Sequence, residues 1–115
     1  MEYMLLIHSD PAGFAALSDA DRHAAMAAYS AYTEALTEAG LIRGSHRLKP
    51  ADLSTTVRVR QGKTEVLDGP FIETREQLGG YFLIDVPDLD AALSWAARCP
   101  GASHGCVEVR PVWPM

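Results

Sequence analysis

Two short stretches, "YMLLIH" at residues 3–8 and "YFLIDV" at 81–86, constrain what this chain can fold into more than anything else in it. Strand side chains point alternately to opposite faces. As a strand, the first puts Tyr3, Leu5 and Ile7 on one face and Met4, Leu6 and His8 on the other. The second sets Tyr81 and Leu83 against Phe82, Ile84 and Val86. A strand that is largely apolar on both faces is normally buried on both. Both stretches therefore belong in the middle of a sheet.

The intervening chain reads as follows. Residues 9–17 form a loop. Ser18 with Asp21 resembles a capping box, Asp standing for Glu, and opens a helix to Ala39 that Gly40 closes with a left-handed cap. Ala24, Ala27, Ala28, Ala31, Ala35 and Ala39 fall near one stripe with Leu36, the face expected to be buried. Such a stripe lets a helix lie close to a sheet, and it could also floor a ligand cavity. Residues 41–48 form a more polar strand, suited to an edge, and 50–54 a loop. "TTVRVRQGKTEVL" is a hairpin turning at Gln61-Gly62, with one wet face. Asp88 caps a second helix with Leu89, Ala92, Leu93, Ala96 and Ala97 inward, ended by Pro100-Gly101. Residues 106–112 alternate Val107 and Val109 with Glu108 and Arg110 as the last strand.

Strand, helix, strand, hairpin, strand, helix, strand is an α+β, ferredoxin-like βαββαβ order with an inserted β-hairpin, in a single domain over residues 1–115. In that topology the first and third main strands are central. Those are the two strands apolar on both faces, so side-chain pattern and topology agree. Two helices cover only one sheet face, and the hairpin is short for covering the other. A second copy packing sheet to sheet, as a dimeric α+β barrel, is the economical solution, and a homodimer is expected.

At 115 residues the chain can bury a core without disulfide staples. It has no apolar run long enough for a membrane span and no signal-peptide pattern. Cys99 and Cys106 flank a Pro-Gly turn; a disulfide is conceivable, but without a secretory signal they read as reduced thiols in a cytoplasmic protein. The net charge of -5 argues against direct nucleic-acid binding. The charge is uneven: residues 41–63 carry Arg43, Arg47, Lys49, Arg58, Arg60 and Lys63 against Asp52 alone. These are either gatekeepers on an exposed edge or an anion-attracting mouth.

"DGPFIETREQLGGYF" (68–82) is the densest motif. Asp68-Gly69-Pro70 makes a tight turn, Thr74 and Gln77 are spaced to cap a short helical turn, and Gly79-Gly80 can admit a bulge into the strand. Chemically, Asp68 and Glu73 could act as a general base and its hydrogen-bonding partner, joined by His8 from the neighbouring strand. His46, Arg43 and Arg47, with Tyr81, are the candidate ligand-binding groups. No metal-ligand spacing, phosphate loop, nucleophile elbow or cofactor motif is recognisable, so an enzyme here would work by acid–base chemistry without a bound cofactor.

"LDGPFIETREQLGGYFLIDVPDLDAALSWAARCP", "GCVEVRPV", "MEYMLLIHSD" and "LTEAGLIRGSHRLKP" together resemble the YCII-related proteins, in particular the subgroup with an Asp-Gly-Pro-Phe signature. The resemblance implies a ferredoxin-like fold paired as a dimeric α+β barrel. It places the chain in a superfamily that includes muconolactone isomerases, cofactor-independent monooxygenases and a dehydrochlorinase acting on a chlorinated hydroxyquinol. It also implies a His-Asp centre on the first helix, but Tyr29 stands where that histidine would be, with Glu38 near the carboxylate and His23 nearly two turns earlier. A tyrosine near its normal pKa is a poor base at neutral pH, so the dyad does not transfer. Relatives in this subgroup are often encoded beside extracytoplasmic-function sigma factors. Two functions are thus expected in competition. One is a dimer binding a small anionic or phenolic metabolite, with isomerase- or lyase-type activity. The other is a regulatory dimer of a sigma-factor pathway.

Overall fold

A computed structural model describes all 115 residues. Four strands form an antiparallel sheet in the order β2-β5-β1-β6: β1 (Glu2–Ser9), β2 (Ile42–Arg47), β5 (Gln77–Asp85) and β6 (Cys106–Pro111). The hairpin strands β3 (Thr55–Arg60) and β4 (Lys63–Asp68) make a separate two-stranded sheet. Helices α1 (Pro11–Ala15), α2 (Asp19–Glu38) and α3 (Leu89–Arg98) complete the main elements. The two strands apolar on both faces, β1 and β5, are the central pair, as their pattern requires.

Register explains the core. Tyr3 pairs with Ile84, Leu5 with Phe82 and Ile7 with Gly80 across β1 and β5, so these share the helix-covered face. Tyr3, Leu5, Ile7, Phe82 and Ile84 are buried there with Tyr32 and Leu36 of α2 and Ala92 and Ala96 of α3. The Tyr32 hydroxyl donates to the Trp95 carbonyl oxygen at 2.7 Å, so the phenol spans the layer with its polar end satisfied. Its ring meets Phe82 edge to face at 5.2 Å.

Several local expectations need correction. The alanine stripe of α2 does not face the sheet: Ala24, Ala27, Ala28, Ala31 and Ala39 are exposed, and the inward residues are Tyr29, Tyr32 and Leu36 with Ala25 and Ala35 beside them. Both stripes have helical spacing, but a Tyr/Leu face removes far more apolar area from water than an alanine face. On α3, Leu89, Leu93 and Ala97 are exposed, while Ala92, Ala96 and Cys99 are buried and Trp95 is half-buried. Small residues bring this helix down onto the sheet, and Trp95 lies along its flank under the Arg98 guanidinium, 4.1 Å from the ring centroid. Residues 9–17 are not all loop: Asp10 accepts from the Ala12 amide and starts α1, with Pro11 in the first helical position. Thr74 and Gln77 cap no helical turn. The Thr74 hydroxyl bonds to the Glu76 carbonyl oxygen at 2.6 Å, and β5 already begins at Gln77.

Other local signals stand. Ser18 accepts from the Asp21 amide and Asp88 from the Ala91 amide. Gly40 takes a φ of 73° after α2. Gln61 and Gly62, at φ 52° and 76°, make the two-residue turn of the hairpin. Cys99 is buried and Cys106 exposed, both as free thiols. No helix is long and apolar enough to cross a membrane.

The molecule is flat, 47 × 43 × 18 Å, with a radius of gyration of 16.1 Å; a compact chain of this length has about 13 Å. Two surfaces account for the excess. The helix-free sheet face carries Met4, Leu6, Tyr81 and Leu83, only partly buried. The hairpin projects with both faces in water rather than one. Val57, Val59 and Val66 lie on the same face of it and are 60%, 67% and 62% exposed.

Gly80 is the tightest point of the central sheet that a substitution can probe. A Cβ there would lie 2.7 Å from the His46 carbonyl oxygen, whereas one at Gly13 in α1 would meet nothing within 4 Å. Gly80→Ala is expected to cost about 1–3 kcal/mol in chemical denaturation. Gly13→Ala is expected to be neutral or to stabilise by up to about 1 kcal/mol. Equal effects of the two would contradict the sheet packing described.

Candidate functional site

Two cavities of different chemistry flank the sheet and meet at its end, where Leu48, Lys49, Pro50, Gln77 and Leu78 line both. The larger, about 1080 Å³, opens between α1, α2 and the β2–β5 side of the sheet. Its shape starts with the glycines. Ile7 pairs with Gly80 but His8 with Leu78, so Gly79 is an extra residue, a bulge, which the Gly-Gly pair was expected to permit. Arg47 at the end of β2 reaches over the Phe14 ring, 5.2 Å from its centroid. Phe14 comes from α1, so the overlooked helix supplies an aromatic wall. Lys49 adds a second cation to the lining, and Asp10, Ser30, Glu34 and His104 add polar groups.

Tyr29, in the middle of α2, lines the same cleft. Its hydroxyl lies against Gly101, where a Cβ would come within 2.6 Å of the oxygen and push it aside. Burial and the nearby Cys99 thiol push the Tyr29 pKa up to about 12, despite the opposing Arg47. The phenol therefore stays protonated near neutral pH and acts as a hydrogen-bond donor, not a base. Burial raises the Cys99 pKa as well, which leaves it a thiol rather than a reactive thiolate. Glu38, the other residue at a family dyad position, is exposed at the end of α2.

The smaller cavity, about 710 Å³, lies on the helix-free face. His8 of β1 stands in it with Glu108 and Arg110 of β6, and Pro70, Phe71 and Ile72 form one wall. His8 Nε2 is 3.5 Å from Glu108 Oε1. Arg110 grips the Glu108 carboxylate from the other side through Nε, at 2.8 Å, and Nη2. Chiefly through that hydrogen bond, and with His8 contributing, the Glu108 carboxyl is held below the usual carboxylate range.

The candidate residues named from sequence divide among these places. His8 is in the helix-free cavity and Arg47 in the cleft. His46 and Tyr81 are cross-strand neighbours on the helix-free side, bonded Nδ1 to hydroxyl at 2.8 Å, and meet the cleft only at its rim. Arg43 lines neither space: its Nη1 donates to the Gly40 and Ile42 carbonyl oxygens, and Nη2 lies 3.6 Å from Asp85. Asp68 is exposed at the end of β4, followed by Gly69 at φ 99°. The turn is held by the Gly69 amide donating to the Ser54 carbonyl oxygen and the Thr56 hydroxyl donating to the Gly69 carbonyl oxygen, both at 2.7 Å. Glu73 is also exposed, and neither carboxylate lines either of these two cavities or pairs with His8 within one chain. The carboxylate beside His8 is Glu108 instead. Sequence reading passed over Glu108, Arg110, Phe14 and His104, because only the β1–β6 register and the presence of α1 bring them to these cavities. No group of three His, Cys, Asp or Glu side chains is placed to hold a metal ion.

Comparison with known proteins agrees with the fold. Over 114 residues the chain is 40% identical to an uncharacterized protein of Rhizobium meliloti, covering 97% of this chain and 92% of that one. Among solved structures it resembles 5-chloro-2-hydroxyhydroquinone dehydrochlorinase from Burkholderia phenoliruptrix, in complex with 2,5-dihydroxybenzoquinone. That match has a TM-score of 0.59 and covers 98% of this chain and 94% of the other, at 16% identity, a likeness of fold. The model of the YCII-related domain matches residues 1–115, and with these relatives it shows that the chain belongs to the YCII-related family.

Proposed function

We propose that the protein binds a small anionic or phenolic metabolite in the cleft between α2 and the sheet and carries out cofactor-independent proton transfer on it, of isomerase or lyase type. One observation carries this reading: Arg47, Lys49 and the protonated Tyr29 hydroxyl line a single cleft walled by the Phe14 ring. Arg47, held over the Phe14 ring, offers its guanidinium to an anion, and a phenol that does not ionise near neutral pH can donate a hydrogen bond to a ligand oxyanion. His104, in the cleft lining, is the nearby imidazole that can exchange a proton. The dehydrochlorinase of similar fold, with its dihydroxybenzoquinone, supports the ligand class.

The working unit in this reading is a homodimer. The partly apolar helix-free face, the flat shape and the projecting hairpin all support a second copy packed against the sheet. Asp68 and Glu73 would then take part in either site only across that interface, since within one chain they line neither cavity. The projecting hairpin, with Arg58, Arg60 and Lys63 beside uncovered valines, favours a second reading: a regulatory dimer that meets a protein of a sigma-factor pathway.

Calorimetric titration with 2,5-dihydroxybenzoquinone and a panel of small carboxylates and phenols tests the first reading. A binder is expected, and Arg47→Ala should weaken it by about 1.5–3 kcal/mol, tenfold or more, with the fold intact. No binder in the panel, or unchanged affinity in Arg47→Ala, would overturn the cleft as the site and move weight to the regulatory dimer. Sedimentation at micromolar concentration is expected to give a dimer; a stable monomer would contradict the assembly.

A further inference from the structure

The two ends of the cleft under α2 offer opposite hydrogen-bonding chemistry. After α2 the chain turns back at Gly40, so β2 runs from the C-terminal end of that helix towards its start. Arg47, at the end of β2, therefore stands at one end of the cleft with Phe14, and Ser45 lies further along. Ser45 pairs with the core residue Phe82, so it shares the helix-covered face. Opposite it, Ser30, Thr33, Glu34 and Thr37 line the cleft at i, i+3, i+4 and i+7, a single face of α2.

The Arg47 end consists of donors. A guanidinium carries N–H groups and accepts nothing, and the Tyr29 phenol beside it keeps its proton. The other end consists of acceptors. The Thr33 hydroxyl donates to the Tyr29 carbonyl oxygen at 2.9 Å, and the Thr37 hydroxyl to the Thr33 carbonyl oxygen at 2.8 Å. With their protons committed to the helix backbone, both oxygens turn only lone pairs to the cleft. Glu34 stands between them. It differs from Asp10, the other carboxylate in the lining, whose oxygens are taken by the Ala12 amide and by Arg75 Nε at 3.3 Å. Glu34 has no ion-pair partner, so its charge faces the cleft and water uncompensated. Thr33 follows Tyr29 by four residues and Thr37 by eight, about 6 and 12 Å along the helix axis. A ligand held at Arg47 must be extended to reach these acceptors, and a cleft of about 1080 Å³ has the room for one.

We propose that the ligand of this cleft is a small amino-bearing acid, with its anionic group at Arg47 and a protonated amine at the opposite end of the molecule, against Glu34. This ligand class rests on the cleft being the binding site, as argued above, and specifies the far end of the molecule. An ammonium group supplies three donors, matching the Glu34 carboxylate and the two threonine oxygens, whereas an apolar tail would leave all three to water alone. Glu34 thus selects among the anions that Arg47 attracts. A second copy packed on the helix-free face would leave this side of the sheet open to the ligand.

The experiment is a calorimetric titration of the full-length protein with three para-substituted benzoates. 4-(Aminomethyl)benzoate carries the amine, 4-ethylbenzoate replaces it with a methyl group, and 4-(hydroxymethyl)benzoate offers a neutral donor. Wild type is expected to bind the amine roughly two- to fivefold more tightly than the ethyl compound, the range of an exposed ion pair. The hydroxymethyl compound is expected to bind less tightly than the amine. Glu34→Gln should bring the ratio of amine to ethyl affinity to about one, and Glu34→Lys should reverse it; both place good helix formers at an exposed position. Arg47→Ala should weaken all three. Equal affinity for the amine and ethyl compounds, or a preference that survives Glu34→Gln, would overturn the proposal. Equal affinity for the amine and hydroxymethyl compounds would overturn the ammonium in favour of a neutral donor. Benzoates that bind and respond to Arg47→Ala without preferring the amine would overturn this ligand class and leave the cleft as the site. Benzoates that do not bind, or bind regardless of Arg47, would overturn the cleft and this ligand class with it.

Discussion

Everything in this fold depends on the antiparallel pairing of β1 with β5. Tyr3, Leu5 and Ile7 on one strand meet Ile84, Phe82 and Gly80 on the other, and the helices close over that face. Leu5 and Ile84 are fully buried between them. Burying side chains of this size contributes about 1.5–3 kcal/mol each, so the shared face fixes register: a slip of one residue would send the set into water. The same alternation that buries one face commits the other. Met4, Leu6, His8, Leu78, Tyr81 and Leu83 necessarily point away from the helices.

That two-sidedness sorts the polar side chains of the sheet. On the helix side, the bulge at Gly79 and the small helix α1 bring Arg47, Phe14 and Tyr29 around one space. On the opposite side, β6 brings Glu108 to His8. The burial that pushes the Tyr29 pKa upward also fixes its role, since a phenol that does not ionise can position a ligand but cannot take its proton. Where the family resemblance sets a catalytic histidine, this chain has a hydrogen-bond donor. The proton transfer we propose would therefore draw on groups elsewhere in the fold.

Much of the architecture was legible in the sequence because it rests on local rules. The doubly apolar strands, the Ser18 and Asp88 caps, the left-handed Gly40 and the Gln61-Gly62 turn each follow from one residue and its neighbours. The misreadings have a common cause. The alanine stripe of α2 and the leucines of α3 satisfy helical spacing as well as the true inward faces do, and only the shape of the sheet beneath decides between them. Thr74 and Gln77 have the spacing of a cap, yet β5 begins at Gln77 and its side-chain oxygen accepts instead from the Ala51 amide. Site residues were harder still. Glu108 looked like one polar position in an alternating edge strand, and nothing local says that its neighbour across the ladder is beside His8. Asp68 and Glu73 drew notice through spacing, but spacing cannot say which way a turn faces.

The central claim is that ligand chemistry in this chain is centred on the cleft under α2. Backbone amide chemical shifts recorded during a titration with 2,5-dihydroxybenzoquinone test it most directly. The account predicts perturbations concentrated at Phe14, Tyr29, Arg47 and the Gly79-Gly80 pair, with the hairpin tip at Gln61-Gly62 unmoved. Perturbations confined to the hairpin, or none at all at millimolar probe, would contradict it.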